Sequence, residues 1–181
     1  FINAGPGYGG SCLPKDMKAL ISFADKIGIN PTLLNAVEKI NQKQIQNIVS
    51  LMEKTLGTLT SKRITVLGTA FKPNTDDVRD SIAIELIKKL LKKKSRVTIY
   101  DPKAMKNTRN VFGEKIIYAG SIADALNKSQ CAILMTHWKQ FERFNNNSMK
   151  HMSKKFIIDC RRILVEKELQ AEYHAIGIGK I

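Results

Sequence analysis

The chain is 181 residues long, 43% hydrophobic and 25% charged, which suits one good core or one domain with an appendage. No apolar run approaches the roughly 18 residues that cross a bilayer, and Phe1-Ile2-Asn3 has no signal-peptide character, so no membrane partner is expected. Lys and Arg outnumber Asp and Glu by 30 to 16, a net charge of +14, but the lysines are dispersed and no nucleic-acid-binding motif accompanies them, which argues against nucleic acid as the partner.

The first element is a glycine-rich loop, Gly5-Pro6-Gly7-Tyr8-Gly9-Gly10-Ser11, that ends in Cys12 and leads into Leu13-Pro14-Lys15-Asp16. Glycines let a backbone approach a ligand closely, and Pro14 suits the first turn of a helix. A thiol at that junction sits near the positive end of a helix dipole with Lys15 close by, and both favour the nucleophilic thiolate. A small buried hydrophobe is the other reading of a free cysteine, and the spacing leaves both open. Gly5-x-Gly7-x-x-Gly10 also fits a dinucleotide fingerprint as a bare pattern. No βαβ unit with a suitably placed acid follows it, so it is rejected as one.

Apolar spacing then predicts a helix from Pro14 to Gly28. With Asn30 as cap and Pro31 at its first position, a second and longer helix runs to Leu56-Gly57. A helix of that length serves either as a spine or dimer contact or as an ordinary core helix. From Lys62 the pattern alternates. Strands are predicted at Arg63–Gly68, Arg96–Asp101, Lys115–Tyr118, Cys131–Met135 and Phe156–Asp159, with a last, edge strand at Tyr173–Gly177. Helices are predicted from Asp80 or Ser81 to Lys94 and from Ser121 to Lys128. The fold class is therefore α/β: a helical linker with a long spine helix, followed by a Rossmann-like doubly wound parallel sheet. The two units are residues 1–57 and 60–181.

Such sheets bind ligands beyond the carboxyl ends of their strands. After strand one that edge carries Lys72 and Arg79, which either clamp anionic oxygens or face solvent. It also carries Asp101, at the position where a Rossmann protein binds a ribose hydroxyl. Beyond the later strands come His137, which has no visible acid-base or metal partner and is given a packing or rim role, and the ligand-facing pair Arg161-Arg162. Cys131 and Cys160 fall in or beside apolar strands and read as core. Three widely spaced cysteines offer neither a disulfide framework nor a metal site, which fits a reducing, cytoplasmic setting.

Taken together, six pieces carry a resemblance: Phe1 through Asp16, Gly68-Thr69-Ala70-Phe71-Lys72, Thr75 through Ser81, Tyr100-Asp101-Pro102, Thr136-x-Trp138 and Asp159-x-Arg161. In this order, and over nearly the whole chain, they resemble the UDP-glucose/GDP-mannose dehydrogenase family. The resemblance implies an NAD-dependent, four-electron oxidation of a sugar C6 alcohol to a carboxylate, with UDP-glucose the favoured substrate and GDP-mannose the runner-up. Outside that class, the alternative is a nucleotide-sugar- or polyanion-binding module without catalysis. Cys12 matches the family nucleophile that holds the aldehyde as a thiohemiacetal and then a thioester, and Asp16 the carboxylate that assists water chemistry. Phe71, Lys72 and Arg161 match substrate contacts, Phe1, Gly9 and Gly10 the stretch that wraps the sugar and diphosphate, and Arg79 a residue that reaches NAD. The helix from residue 31 to 57 matches a homodimerisation spine. His137 departs from the pattern, since family members often carry Glu there. The family's N-terminal NAD-binding domain, and a catalytic lysine before the glycine loop, have no counterpart in these residues. The expectation is that the 181-residue chain alone does not turn over substrate.

Overall fold

The structure, a computed structural model, describes residues 5–180. Two helices come first, α1 (Leu13–Lys26) and α2 (Thr32–Leu56). The chain then alternates through β1 (Arg63–Leu67), α3 (Ile82–Lys92), β2 (Arg96–Tyr100), α4 (Met105–Phe112), β3 (Ile117–Tyr118), α5 (Ile122–Leu126) and β4 (Cys131–Leu134). It closes with β5 (Phe156–Asp159), β6 (Glu172–Ala175) and β7 (Gly179–Lys180). The sheet order is β3-β2-β1-β4-β5-β6-β7. Strands β3 to β6 are parallel, and β7 alone is antiparallel, against β6.

This is the doubly wound Rossmann-like arrangement, with its switch in direction between β1 and β4. Strands β4 and β5 are buried at every position, as continuous apolar runs in a parallel sheet must be when both faces are covered. One face packs Ile64, Val66, Ile99 and Ile133 against Ile48, Val49 and Met52 of α2 and Leu86, Ile87 and Leu90 of α3. The other packs Leu67, Leu134 and Ile157 against Ala125 and Leu126 of α5 and against Phe141, Phe144 and Met149. Cys131 and Cys160 are both buried. Loss of water pushes both thiols well above their ordinary range.

The two halves of helix α2 differ in burial. Ile45, Ile48, Val49, Met52 and Leu56 of its second half are core, whereas Leu33, Val37 and Ile40 of its first half are exposed. The proposed Asn30 cap is not made. Pro31 occupies the cap position without a side-chain hydrogen bond, and Asn30 contributes only its carbonyl, to the Thr32 amide. The strand at Tyr173 is not the last one, because β7 turns back and pairs with it. Helix α4 was not predicted. Its sequence Met105–Phe112 buries only Thr108 and Phe112, too little to write a stripe.

Candidate functional site

The first strand runs into Gly68, whose φ of 88° and close approach to Thr136, just past β4, leave no room for a side chain. That close approach lets the loops after β1 and β4 part into a cleft directly above the switch point. The loop after β1 is tightly held. Thr136 Oγ1 donates to the Ala70 carbonyl at 2.6 Å, Ser81 Oγ donates to the Thr69 carbonyl at 2.8 Å, and Thr69 and Thr108 share a hydroxyl contact at 2.7 Å.

Asp101 is the centre of this clamp. It is buried, and one carboxylate oxygen accepts from the Thr69 amide, the Ala70 amide and the Trp138 indole at 2.7, 3.0 and 3.1 Å. The other accepts from the amides of Lys103 and Ala104 at 2.9 and 2.7 Å. The carboxylate is fully spent on the protein, so Asp101 does not hold a ribose; it fixes the cleft's floor. Asp159 does the same after β5. It accepts from the Arg161 amide at 2.9 Å, the Leu164 amide at 2.8 Å and the Tyr173 hydroxyl at 2.9 Å, and burial beside it raises the Tyr173 phenol.

The cleft has a volume of about 400 Å³ and brings together Phe71 and Lys72 from the β1 loop, His137, Lys139 and Glu142 from the β4 loop, and Arg161 from the β5 loop. Lys72 Nζ stands 5.4 Å from the centre of the Phe71 ring. Arg161 Nε donates to the Met135 carbonyl at 2.7 Å. Burial strips water from this guanidinium and pulls it below its ordinary range, which strengthens its pull on an incoming anion. Arg161 and Arg162 do not act as a pair. Arg162, at φ 56°, turns away, donates to the Ile176 carbonyl at 3.0 Å and lines a different cavity. His137 sits at the rim as expected, but it has a partner: its Nε2 lies 3.1 Å from Glu142 Oε1, five residues on. A pure packing role is excluded because the side chain is nearly half exposed.

The glycine loop borders this cleft. Gly10, at φ 91°, lies so close to the Phe71 ring that any Cβ would enter it, and its amide donates to the Asp80 carbonyl at 3.2 Å. A Cβ at Gly5 would collide with the Arg161 guanidinium, and one at Gly9 with the Asp80 carbonyl. The loop is tied down on its far side by α2. Asn41 accepts from the Tyr8 amide at 2.8 Å and donates to the Tyr8 carbonyl at 3.0 Å, and Tyr8 donates its hydroxyl to Glu38 at 2.8 Å. Burial and that carboxylate push the Tyr8 phenol up to about 12. Sequence reading missed Glu38 and Asn41, and no local signal marks them, since their partner lies some 30 positions away.

Cys12 follows this loop as the N-cap residue of α1 and is exposed. Its thiol makes no capping bond; its carbonyl accepts from the Asp16 amide at 2.9 Å, and Ser11 Oγ lies 3.7 Å from its sulfur. Asp16 is exposed in the first turn, 3.3 Å from Lys15 Nζ. Arg79 does not join Lys72 in the cleft. It grips Asp77 through Nε at 3.0 and 3.1 Å and through Nη2 at 2.7 Å. That pairing, with a small contribution from nearby Cys12, raises the guanidinium, and the same pairing lowers the Asp77 carboxyl. Phe1 lies outside the described residues. No group of three or more His, Cys, Asp or Glu suited to a metal occurs among the described residues, and no helix among them is long and apolar enough to cross a membrane.

Residues 65–166 match the UDP-binding domain of the UDP-glucose/GDP-mannose dehydrogenase family, and residues 1–43 match that family's central domain. The chain is 42% identical over 168 residues to the UDP-glucose 6-dehydrogenase AglM of Haloferax volcanii, covering 93% of this chain and 38% of that protein. It is 35% identical to the UDP-glucose 6-dehydrogenase TuaD of Bacillus subtilis, covering 98% of this chain and 39% of that one. Among solved structures, a UDP-glucose dehydrogenase of the hyperthermophilic archaeon Pyrobaculum islandicum superposes with a TM-score of 0.86 at 36% identity. That match covers 94% of this chain and 38% of the other. The chain thus spans about two fifths of the length of these relatives.

Proposed function

The chain belongs to the UDP-glucose/GDP-mannose dehydrogenase family, an oxidoreductase family, and from that premise we propose that it is the nucleotide-sugar-binding and thiol-bearing portion of an NAD-dependent UDP-glucose 6-dehydrogenase. The supporting observation is a single juxtaposition. The switch-point cleft is lined by Phe71, Lys72 and Arg161 and bordered by the loop that ends in Cys12. In this proposal residues 1–57 supply the thiol and residues 60–181 hold the nucleotide. The diphosphate sits between Lys72 and Arg161, whose partly dehydrated guanidinium forms charge-assisted hydrogen bonds. The Gly9–Gly10 backbone lies along the sugar.

The chemistry at Cys12 follows from its exposure at the start of a 14-residue helix. Its sulfur adds to the C6 carbonyl carbon of an enzyme-held aldehyde, and the thiol proton passes to the carbonyl oxygen, so the reactive aldehyde stays tethered. At the thioester level, Asp16, one turn on, orients the water that attacks C6; the C–S bond breaks, the carboxylate leaves and the thiol is restored. NAD, when bound, is the acceptor of the hydrides. Of the residues present, Arg79 fits its edge, being exposed and near Cys12, whereas Asp101 does not fit a ribose. The exposed apolar residues Leu20 and Phe23 of α1, Ile27 just after it, and Leu33, Val37 and Ile40 of α2 take a second copy of the chain, giving a homodimer in a cytoplasmic setting.

Calorimetric titration with UDP-glucose, GDP-mannose and a short oligonucleotide tests the binding. UDP-glucose is expected to bind, and Lys72→Ala or Arg161→Ala to weaken it by about tenfold to a hundredfold, as loss of a charge-assisted bond does. Binding to the oligonucleotide alone overturns the proposal. The 181-residue chain is expected to bind without turnover, and robust NADH production from UDP-glucose by this chain refutes that part.

A further inference from the structure

The charge that looks dispersed along the sequence is gathered by the topology. In a parallel sheet every strand begins at one edge, so Lys62-Arg63, Lys94 and Arg96, Lys128 and Lys154-Lys155, which each enter a different strand, meet at the edge opposite the nucleotide cleft. At its centre Arg63 of β1 and Arg96 of β2 are register partners. Side chains of register partners project from the same face of the sheet, where like charges placed directly opposite destabilise the pairing. Lys93 and Lys154 at this edge have carboxylate partners, Glu53 and Glu172. Among the described residues, neither Arg63 nor Arg96 has an ion pair or a side-chain hydrogen bond, and both are exposed.

The two arginines open onto a small cavity of about 170 Å³ between the sheet and α5. Its polar lining is Thr65, Thr98, Asn127 and Ser129, and it contains no carboxylate. Thr65 and Ser129 are committed, Thr65 to the Ala125 carbonyl at 2.6 Å and Ser129 to the Cys131 carbonyl at 2.8 Å. Thr98 and Asn127 have no side-chain hydrogen bond among the described residues and remain available as donors. Two guanidinium forks, a hydroxyl and an amide around a carboxylate-free hollow match the oxygens of a phosphoryl group.

We propose that Arg63 and Arg96, with Thr98 and Asn127, form a second anion site that takes a free diphosphate-sized oxyanion, on the sheet edge opposite the nucleotide cleft. The bound anion neutralises the opposed arginines, so binding and relief of repulsion act together. Because the site lies at the other end of the strands, it works alongside the nucleotide rather than in competition with it.

The test titrates inorganic pyrophosphate into the full chain by calorimetry, with and without saturating UDP. One pyrophosphate is expected to bind beside UDP, with an affinity that falls as salt rises. The Arg63→Gln, Arg96→Gln double variant should lose about tenfold or more of that affinity, and Thr98→Val about threefold, with UDP affinity unchanged in both. A folding control is built in: removing the opposed charges should raise the melting temperature of the double variant by about 2 °C in the absence of anion. Failure of pyrophosphate to bind beside UDP, or equal binding by the double variant, overturns the proposal. If UDP itself does not bind, the nucleotide-cleft proposal falls, while the titration without UDP still decides the arginine pair.

Discussion

The N-terminal arm and the sheet are written in the same amphipathic code and use it differently. Helix α3 buries Ala83, Ile84, Leu86, Ile87 and Leu90, whereas α1, with a comparable apolar stripe, buries only Pro14. Phe23 is 59% exposed and Leu33 75% exposed. Periodicity thus specifies that a helix has an apolar face without specifying what covers it. In α3 the sheet covers it; in α1 and the first half of α2 the described residues leave much of it exposed. Exposed apolar residues on these two helices are the basis of the second-copy contact proposed above. The glycine loop and Cys12 sit where the two regions meet, so the thiol is carried by an arm whose own helix contributes little to the core.

The sharpest break between the two regions should come from thiol labelling. Iodoacetamide is expected to modify Cys12 alone in the native chain, and Cys131 and Cys160 only in denaturant, because both are buried with strongly raised pKa values. Native modification of all three, followed by mass spectrometry, would erase the distinction. Next in size is core truncation against arm substitution. Leu86→Ala should cost about 2–5 kcal/mol of unfolding free energy. Phe23→Ser should stay within about 0.5 kcal/mol yet shift the sedimentation coefficient toward monomer.

Asp101→Ala should cost about 3 kcal/mol or more, since five donors lose their acceptors in a buried place, three of them on one shared oxygen. The chain's one tryptophan, Trp138, gives the readout, because its indole is one of those donors. Unchanged Trp138 emission and unchanged stability would remove Asp101 from its clamping role. The smallest effect concerns pH. Arg79 holds the Asp77 carboxyl below its ordinary value, so the pair contributes stability above the unfolded-state pKa, and this is lost as pH falls through the folded-state value. The melting-temperature profile of Arg79→Gln should therefore sit slightly below that of the parent at neutral pH and converge with it in acid. Curves that stay parallel would show that the pairing in this exposed loop contributes nothing.

Much of the sheet was legible because short apolar strands between amphipathic helices have few ways to bury both faces. Phe71, Lys72 and Arg161 could be placed on the ligand edge, since each follows the end of a strand. Harder to see was α4, whose polar sequence buries two side chains. The short turns Lys139–Arg143 and Asn146–Met149 were also missed, although they deliver Phe141, Phe144 and Met149 to the core. Their anchors are isolated aromatics and a methionine with no period to detect.

By itself the sequence determined the α/β class, the strand-ending loops and the place of Cys12 at a helix start, because periodicity, capping and turn chemistry act between near neighbours. Tertiary structure alone decided which charges work together. It turned Asp101 from a ribose candidate into a buried clamp, separated Arg161 from Arg162 and gave His137 a carboxylate. It also set Arg63 against Arg96 across 33 positions of chain. Electrostatics and hydrogen bonding act through space, and only the fold says which distant side chains share it.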